Sequence, residues 1–168
     1  LAMNYSEEIG TPAPGYPQEV LGDERTFLLN LETCAFGCLG GASLENKTVV
    51  FVASRARATL TLVYNGIGPM QLAGTDVTAG GAVDSVIVTP TIFNAGTITL
   101  IARSSGNRAS SLTLSSSDVA HGVLRFVFVD MVRMPGRSGP ADFHYIDSIE
   151  LVLALPQLTQ ILEMQLAD

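Results

Sequence analysis

Thr97-Ile98-Thr99-Leu100-Ile101-Ala102-Arg103 and, beyond a turn at Gly106-Asn107, Ser110-Ser111-Leu112-Thr113-Leu114-Ser115 decide how this chain folds. In the first run Ile98, Leu100 and Ala102 share one side, opposite Thr97, Thr99 and Ile101. In the second, Leu112 and Leu114 alternate with Ser111, Thr113 and Ser115. Successive side chains of an extended chain point to opposite faces, so apolar residues at every second position describe half-buried strands. The same period recurs over 25–32, 48–54, 58–64, 83–90, 122–130 and 143–154. Asn65-Gly66, Gly80-Gly81, Asn94-Ala95-Gly96 and Pro135-Gly136 supply turn chemistry between the runs. Eight short strands at this spacing predict an all-β fold, a two-sheet antiparallel β-sandwich. Its core is expected to hold Leu60, Leu62, Ile98, Leu100, Leu112, Leu114, Phe126, Phe128, Ile149 and Leu151. No amphipathic helix alternates with the strands, which argues against a parallel α/β sheet.

The two ends read differently. Residues 1–22 carry Pro12, Pro14 and Pro17 with Gly10, Gly15 and Gly22, a composition that opposes a helix or a central strand. We expect an extended arm there, followed by one sandwich domain over 23–168. Tyr5, Ile9, Tyr16 and Val20 are its candidate anchors, docking on a neighbouring copy. After Pro156, Leu158, Ile161, Leu162 and Leu166 fall at helical spacing and predict a short C-terminal helical segment. In 123–129 and in the last strand apolar residues occupy both faces. Val127, Val129 and Val152 therefore form a candidate assembly surface, since a strand apolar on both faces needs cover on both.

Composition narrows the class of function. The chain has 168 residues, 47% apolar and only 15% charged, with no tryptophan. Ordinary domains carry roughly 25% charged residues, so little charge is available to wet a free surface. Nine basic residues against sixteen acidic give a net charge of −7, which excludes the basic footprint of nucleic-acid binding. No apolar run reaches the roughly 20 residues of a transmembrane helix. The start at Leu1-Ala2-Met3 shows neither the charged nor the apolar region of a leader. It fits either a leader already removed or residues added for expression. With one lysine, many Ser, Thr and Gly, and a close cysteine pair, the chain reads as extracellular or surface-borne.

Chemistry-bearing motifs are few. Cys34 and Cys38 stand in C-x3-C spacing around Gly37, unlike a redox C-x-x-C, and no second pair completes a zinc site. A small disulfide loop is the expectation for an exported chain; two reduced, buried cysteines are the alternative. Ser117, Asp118 and His121 contain the residue types of a hydrolytic triad, but neighbours in one loop rarely supply its geometry. Gly136-Arg137-Ser138-Gly139-Pro140 departs from a nucleophile elbow at Pro140. We therefore expect no enzyme and no cofactor. Asp76, Asp84, Asp118 and Asp142 are the candidate ligands for a structural Ca²⁺, an ion that takes carboxylate and carbonyl oxygens. Asn4-Tyr5-Ser6 and Asn46-Lys47-Thr48 match the glycosylation sequon.

Phe143-His144-Tyr145-Ile146-Asp147-Ser148-Ile149-Glu150-Leu151-Val152 resembles the closing strand of jelly-roll carbohydrate-binding modules. The resemblance implies a jelly-roll sandwich and, by function, a glycan partner met by exposed aromatic rings. This chain has no Trp and only Tyr5, Tyr16, Tyr64 and Tyr145, and Tyr64 and Tyr145 are equally explained as strand-core residues, so the resemblance supports the jelly roll more than the sugar. Two expectations follow. The first is a non-catalytic structural subunit of an extracellular filament, appendage or shell, its partner being further copies of itself. The second is a carbohydrate-binding or accessory module of a secreted protein.

Overall fold

The computed structural model describes residues 5–8, 25–45, 48–64, 72, 74–93, 96–155 and 159–167, with side chains over 59–63, 72, 74–90, 93 and 96–154. Among the described residues ten strands form in chain order: β1 (Tyr5–Glu8), β2 (Arg25–Glu45), β3 (Thr48–Tyr64), β4 (Ser85–Ile92), β5 (Thr97–Ser104), β6 (Arg108–Ser115), β7 (Leu124–Val127), β8 (Val132–Arg133), β9 (Ile146–Leu155) and β10 (Thr159–Ala167). Their pairings are antiparallel.

Two layers share β3. One runs β8-β6-β5-β9-β3 and the other β7-β4-β10-β3. Residues 49–51 of β3 pair with β10, and residues 58–64 pair with β9. β2 follows the opposite edge of β3 across the changeover, and there its register slips. Cys34 faces Ala56 and Leu39 faces Ser54, leaving residues 35–38 opposite Arg55 alone. Extra residues on one strand bend a ladder, and corners where strands pass between sheets are made this way. The later strands also alternate: β4 in the second layer, β5 and β6 in the first, β7 in the second, β9 in the first, β10 in the second. This exchange between layers gives the sandwich its jelly-roll character.

The core lies between the layers. Val86 and Val88 of β4, with Leu124 and Phe126 of β7, are buried against Leu60, Leu62, Ile98, Leu100, Ile149, Leu151 and Leu153. Each Leu, Val, Ile or Phe fully buried in this way contributes roughly 1.5–3 kcal/mol. Leu112, Leu114 and Phe128, also expected in the core, are half-buried and pack against its margin. On the outer face the register sets Thr61, Val152, Thr99 and Thr113 in one cross-strand row. The Thr99 and Thr113 hydroxyls share a 2.8 Å hydrogen bond, and Arg103 grips both carboxylate oxygens of Glu150. Val152, half-buried, thus sits between neighbours of its own sheet.

Two expectations at the termini are corrected. The C-terminal segment is not helical: 159–167 is β10, inserted between β3 and β4. A helix of this length is marginal alone, whereas a strand here satisfies backbone groups on both flanks. Within it Leu162, Met164 and Leu166 also recur at every second position. The N-terminal segment does not wholly leave its own chain, because Tyr5–Glu8 pairs with residues 26–29 of β2. Ile9, Tyr16 and Val20 lie outside the described residues.

Candidate functional site

Two connecting segments meet at one end of the sandwich, braced from below by a third. Thr75 and Ile146 exchange backbone hydrogen bonds of 3.2 and 2.9 Å, and the Val77 N–H donates to the Phe143 carbonyl at 3.1 Å. The Phe143 ring stacks on Phe128 with centroids 4.4 Å apart and planes within 15°. Phe128 is in turn anchored by its N–H to the Asp84 carbonyl at 2.8 Å. Val77 and Ile146 are buried under this junction. The 142–145 turn therefore rests on core packing and main-chain bonds, conditions that hold exposed side chains in fixed positions.

Asp76 organises the first segment. Its Oδ1 accepts the Thr78 N–H at 2.8 Å and the Thr78 hydroxyl at 2.6 Å, while Oδ2 accepts the Gly80 N–H at 3.1 Å. Thr78 in turn caps the short 3-10 turn Ala79–Gly81, its Oγ1 accepting the Gly81 N–H. Hydrogen bonds to the charged form stabilise that form. Those from the Thr78 hydroxyl and N–H, with Gly80 and His144, hold the Asp76 carboxyl down at about 2.

The second segment is a turn capped by Asp142, whose Oδ1 accepts the His144 N–H at 3.1 Å and whose carbonyl accepts the Tyr145 N–H at 2.9 Å. His144 then reaches across to the first segment. Its Nδ1 lies 3.3 Å from Asp76 Oδ1 and 3.2 Å from Thr78 Oγ1. Next to it Tyr145 is 60% exposed, one of the most open large apolar residues described. Gly74, at φ 78, lies beside the ring, and a Cβ there would meet Tyr145 Cδ1 at 4.0 Å. A β-branched side chain would be strained at that φ. Two successive residues of the turn therefore carry exposed rings, Tyr145 at 60% and the His144 side chain at 59%.

No protein-family model and no curated protein matches the chain. Among solved structures it is similar to the Family 11 Carbohydrate-Binding Module from Clostridium thermocellum in complex with a beta-1,3-1,4-mixed-linked tetrasaccharide. The likeness spans 99% of this chain and 97% of that chain, at 14% sequence identity and a TM-score of 0.48.

The structure does not bring the other sequence candidates together. Ser117 and Asp118 belong to a 3-10 turn in which the Asp118 carboxylate accepts the Ser115 N–H and hydroxyl, both at 2.7 Å. No hydrogen bond among the described residues joins His121 to either, and His121 occupies a hairpin turn at φ 51. Ser138 donates its hydroxyl to the Gly106 carbonyl, tying one loop to another. Of the four candidate Ca²⁺ carboxylates, Asp76 and Asp142 both engage His144, Asp84 pairs with Arg125 at 2.9 Å, and Asp118 is held in its own turn. No metal-binding group of three such side chains occurs among the described residues.

Val127, Val129 and Val152 fall on three different elements. Val127 closes β7 at the margin of the second layer, and Val152 lies within the first. Val129, 86% exposed, stands on a 3-10 turn between β7 and β8. The side chains of Cys34, Cys38 and Tyr64 lie outside the described residues. Sequence reasoning quoted His144 in the closing-strand segment but gave it no role of its own. The signal for the turn was Asp142 two positions before it, the spacing of an Asx-turn.

Proposed function

We propose that the chain is a non-catalytic, exported β-sandwich module that binds glycan at the 142–145 turn. The observation that carries this is Tyr145. Tyr145, 60% exposed, stands on a turn braced by Phe128 and Phe143 and leaves much of its surface open to a ligand. Aromatic rings offer an apolar face with a polar rim, the chemistry that matches a pyranose ring. His144 adds a hydrogen-bonding group beside that face, and mostly apolar sites with a few placed polar groups are the usual form of small-ligand recognition. Assembly through an arm and a shared valine surface receives less support. Tyr5–Glu8 pairs within its own chain, and Val152 lies on a different element from Val127 and Val129.

Binding is tested by isothermal titration and affinity electrophoresis against soluble neutral β-glucan, xylan and galactomannan. Tyr145→Ala is expected to lower affinity for the bound polysaccharide at least tenfold while changing stability by no more than about 0.5 kcal/mol, as exposed substitutions do. Unchanged affinity in that variant, or no binding to any of the three by the parent chain, overturns the proposal.

A further inference from the structure

The protonation pattern of His144 follows from its neighbours. The Thr78 hydroxyl has a single hydrogen, and it is directed to Asp76 Oδ1 at 2.6 Å. Thr78 Oγ1 therefore has only lone pairs to offer His144 Nδ1 at 3.2 Å. Asp76 Oδ1, 3.3 Å from the same nitrogen, has only lone pairs as well. A bare Nδ1 facing two such oxygens is repelled by both; an Nδ1–H is attracted by both. In a neutral imidazole a proton on one nitrogen leaves the other as an acceptor. Nε2 lies on the far side of the ring, without a hydrogen-bond partner among the described residues, on a side chain that is 59% exposed.

We infer that His144, in its neutral form, carries its proton on Nδ1 and presents an unprotonated Nε2 to a ligand hydroxyl at the 142–145 turn, and that Asp76 sets this tautomer. The inference rests on the glycan-binding reading of the same turn and adds the polarity of the contact. The ligand donates and the protein accepts. His144 is then a ligand-contacting residue and Asp76 a positioning residue. The acidic groups nearby, Asp76 and Asp142, suit a neutral polyhydroxylated ligand better than an anionic one.

The two halves are tested by different readouts. Two-bond ¹⁵N–¹H correlation spectra of the free protein report which imidazole nitrogen carries the proton. At a pH high enough that the ring signals no longer move, neutral His144 is expected in the Nδ1–H form, and Asp76→Asn is expected to convert it to a mixture. A dominant Nε2–H form in the parent chain overturns the inference whether or not any glycan binds.

For the ligand contact, His144→Asn is the informative variant, because an Asn amide retains a donor near the place of Nδ1 and nothing at the place of Nε2. Its melting temperature is expected to match the parent within a degree or two. Its affinity for the polysaccharide bound by the parent is expected to fall about tenfold, one lost hydrogen bond's worth. Parental affinity in His144→Asn, with Tyr145→Ala still impaired, overturns the contact while leaving the glycan-binding proposal standing. A parent chain that binds none of the three polysaccharides removes the ligand half together with that proposal, and the spectra alone then judge the part assigned to Asp76.

Discussion

Asp76 and Asp118 do similar local work in two turns that differ in reach. Each accepts a backbone N–H and a hydroxyl from a residue two or three positions away, Thr78 in one case and Ser115 in the other. Each is held below the usual carboxylate range by those bonds. Asp118 is occupied entirely by its own turn. Asp76 also meets His144, from a segment far along the chain. The same capping chemistry therefore closes a turn in one place and fastens two segments together in the other. What distinguishes them is the main chain beneath. Thr75 pairs with Ile146, and Val77 with Phe143, so a side chain from the second segment arrives within reach of the first.

The largest effect is expected from removing the packing that delivers that second segment. Phe143→Ala, losing the stack on Phe128 and a half-buried ring, should cost about 2–3 kcal/mol by urea denaturation, less than the 3–5 of a fully buried Phe. A loss below about 0.5 kcal/mol would mean that the turn stands without it. Next comes Asp76→Ala set against Asp118→Ala. The first should lower the melting temperature more and speed amide exchange in both 75–83 and 142–146. The second should speed exchange only around 115–119. Equal effects confined to each turn would erase the distinction between them.

Acid gives the smallest and most graded test. A carboxyl depressed in the folded state contributes stability in full above its unfolded value and loses it as pH falls through the folded value. Asp76 titrates at about 2 instead of 3.8, so its turn should hold until pH falls toward 2. Asp118 is shifted in the same direction and should also outlast an ordinary aspartate. Carboxyl ¹³C shifts followed from pH 5 to pH 1.5 measure both. An Asp76 midpoint near 3.8 would contradict the hydrogen-bond arrangement described.

Much of the sandwich was legible because alternation is a local property. Ile98, Leu100, Ile149 and Leu151 declare their inward face from their own neighbours, and the buried core follows them. β10 was misread because two periods overlap in one short run. Leu158, Ile161, Leu162 and Leu166 satisfy a helix, while Leu162, Met164 and Leu166 satisfy a strand. Only the vacancy between β3 and β4, a tertiary fact, decides for the strand. Tyr145 was legible as an aromatic but not as an exposed one. The run from Phe143 to Val152 looks continuous, yet the strand begins only at Ile146. The approach of His144 to Asp76 had no local signal, since nothing in either segment names the other.

The position of β10 has a bearing on how the molecule is made. It lies between β3 and β4 and pairs with both, so the second layer is joined across its middle by residues 159–167. During synthesis β3 and β4 leave the ribosome well before their shared neighbour. At roughly 5–20 residues per second, several seconds pass in which those two strand edges are complete but unpaired. The first layer waits in the same way for β9, which pairs with both β3 and β5 but precedes β10 in the chain. Nascent chains stalled after residue 155 should therefore expose the β4 edge to chaperones or to one another, and those released after residue 167 should not.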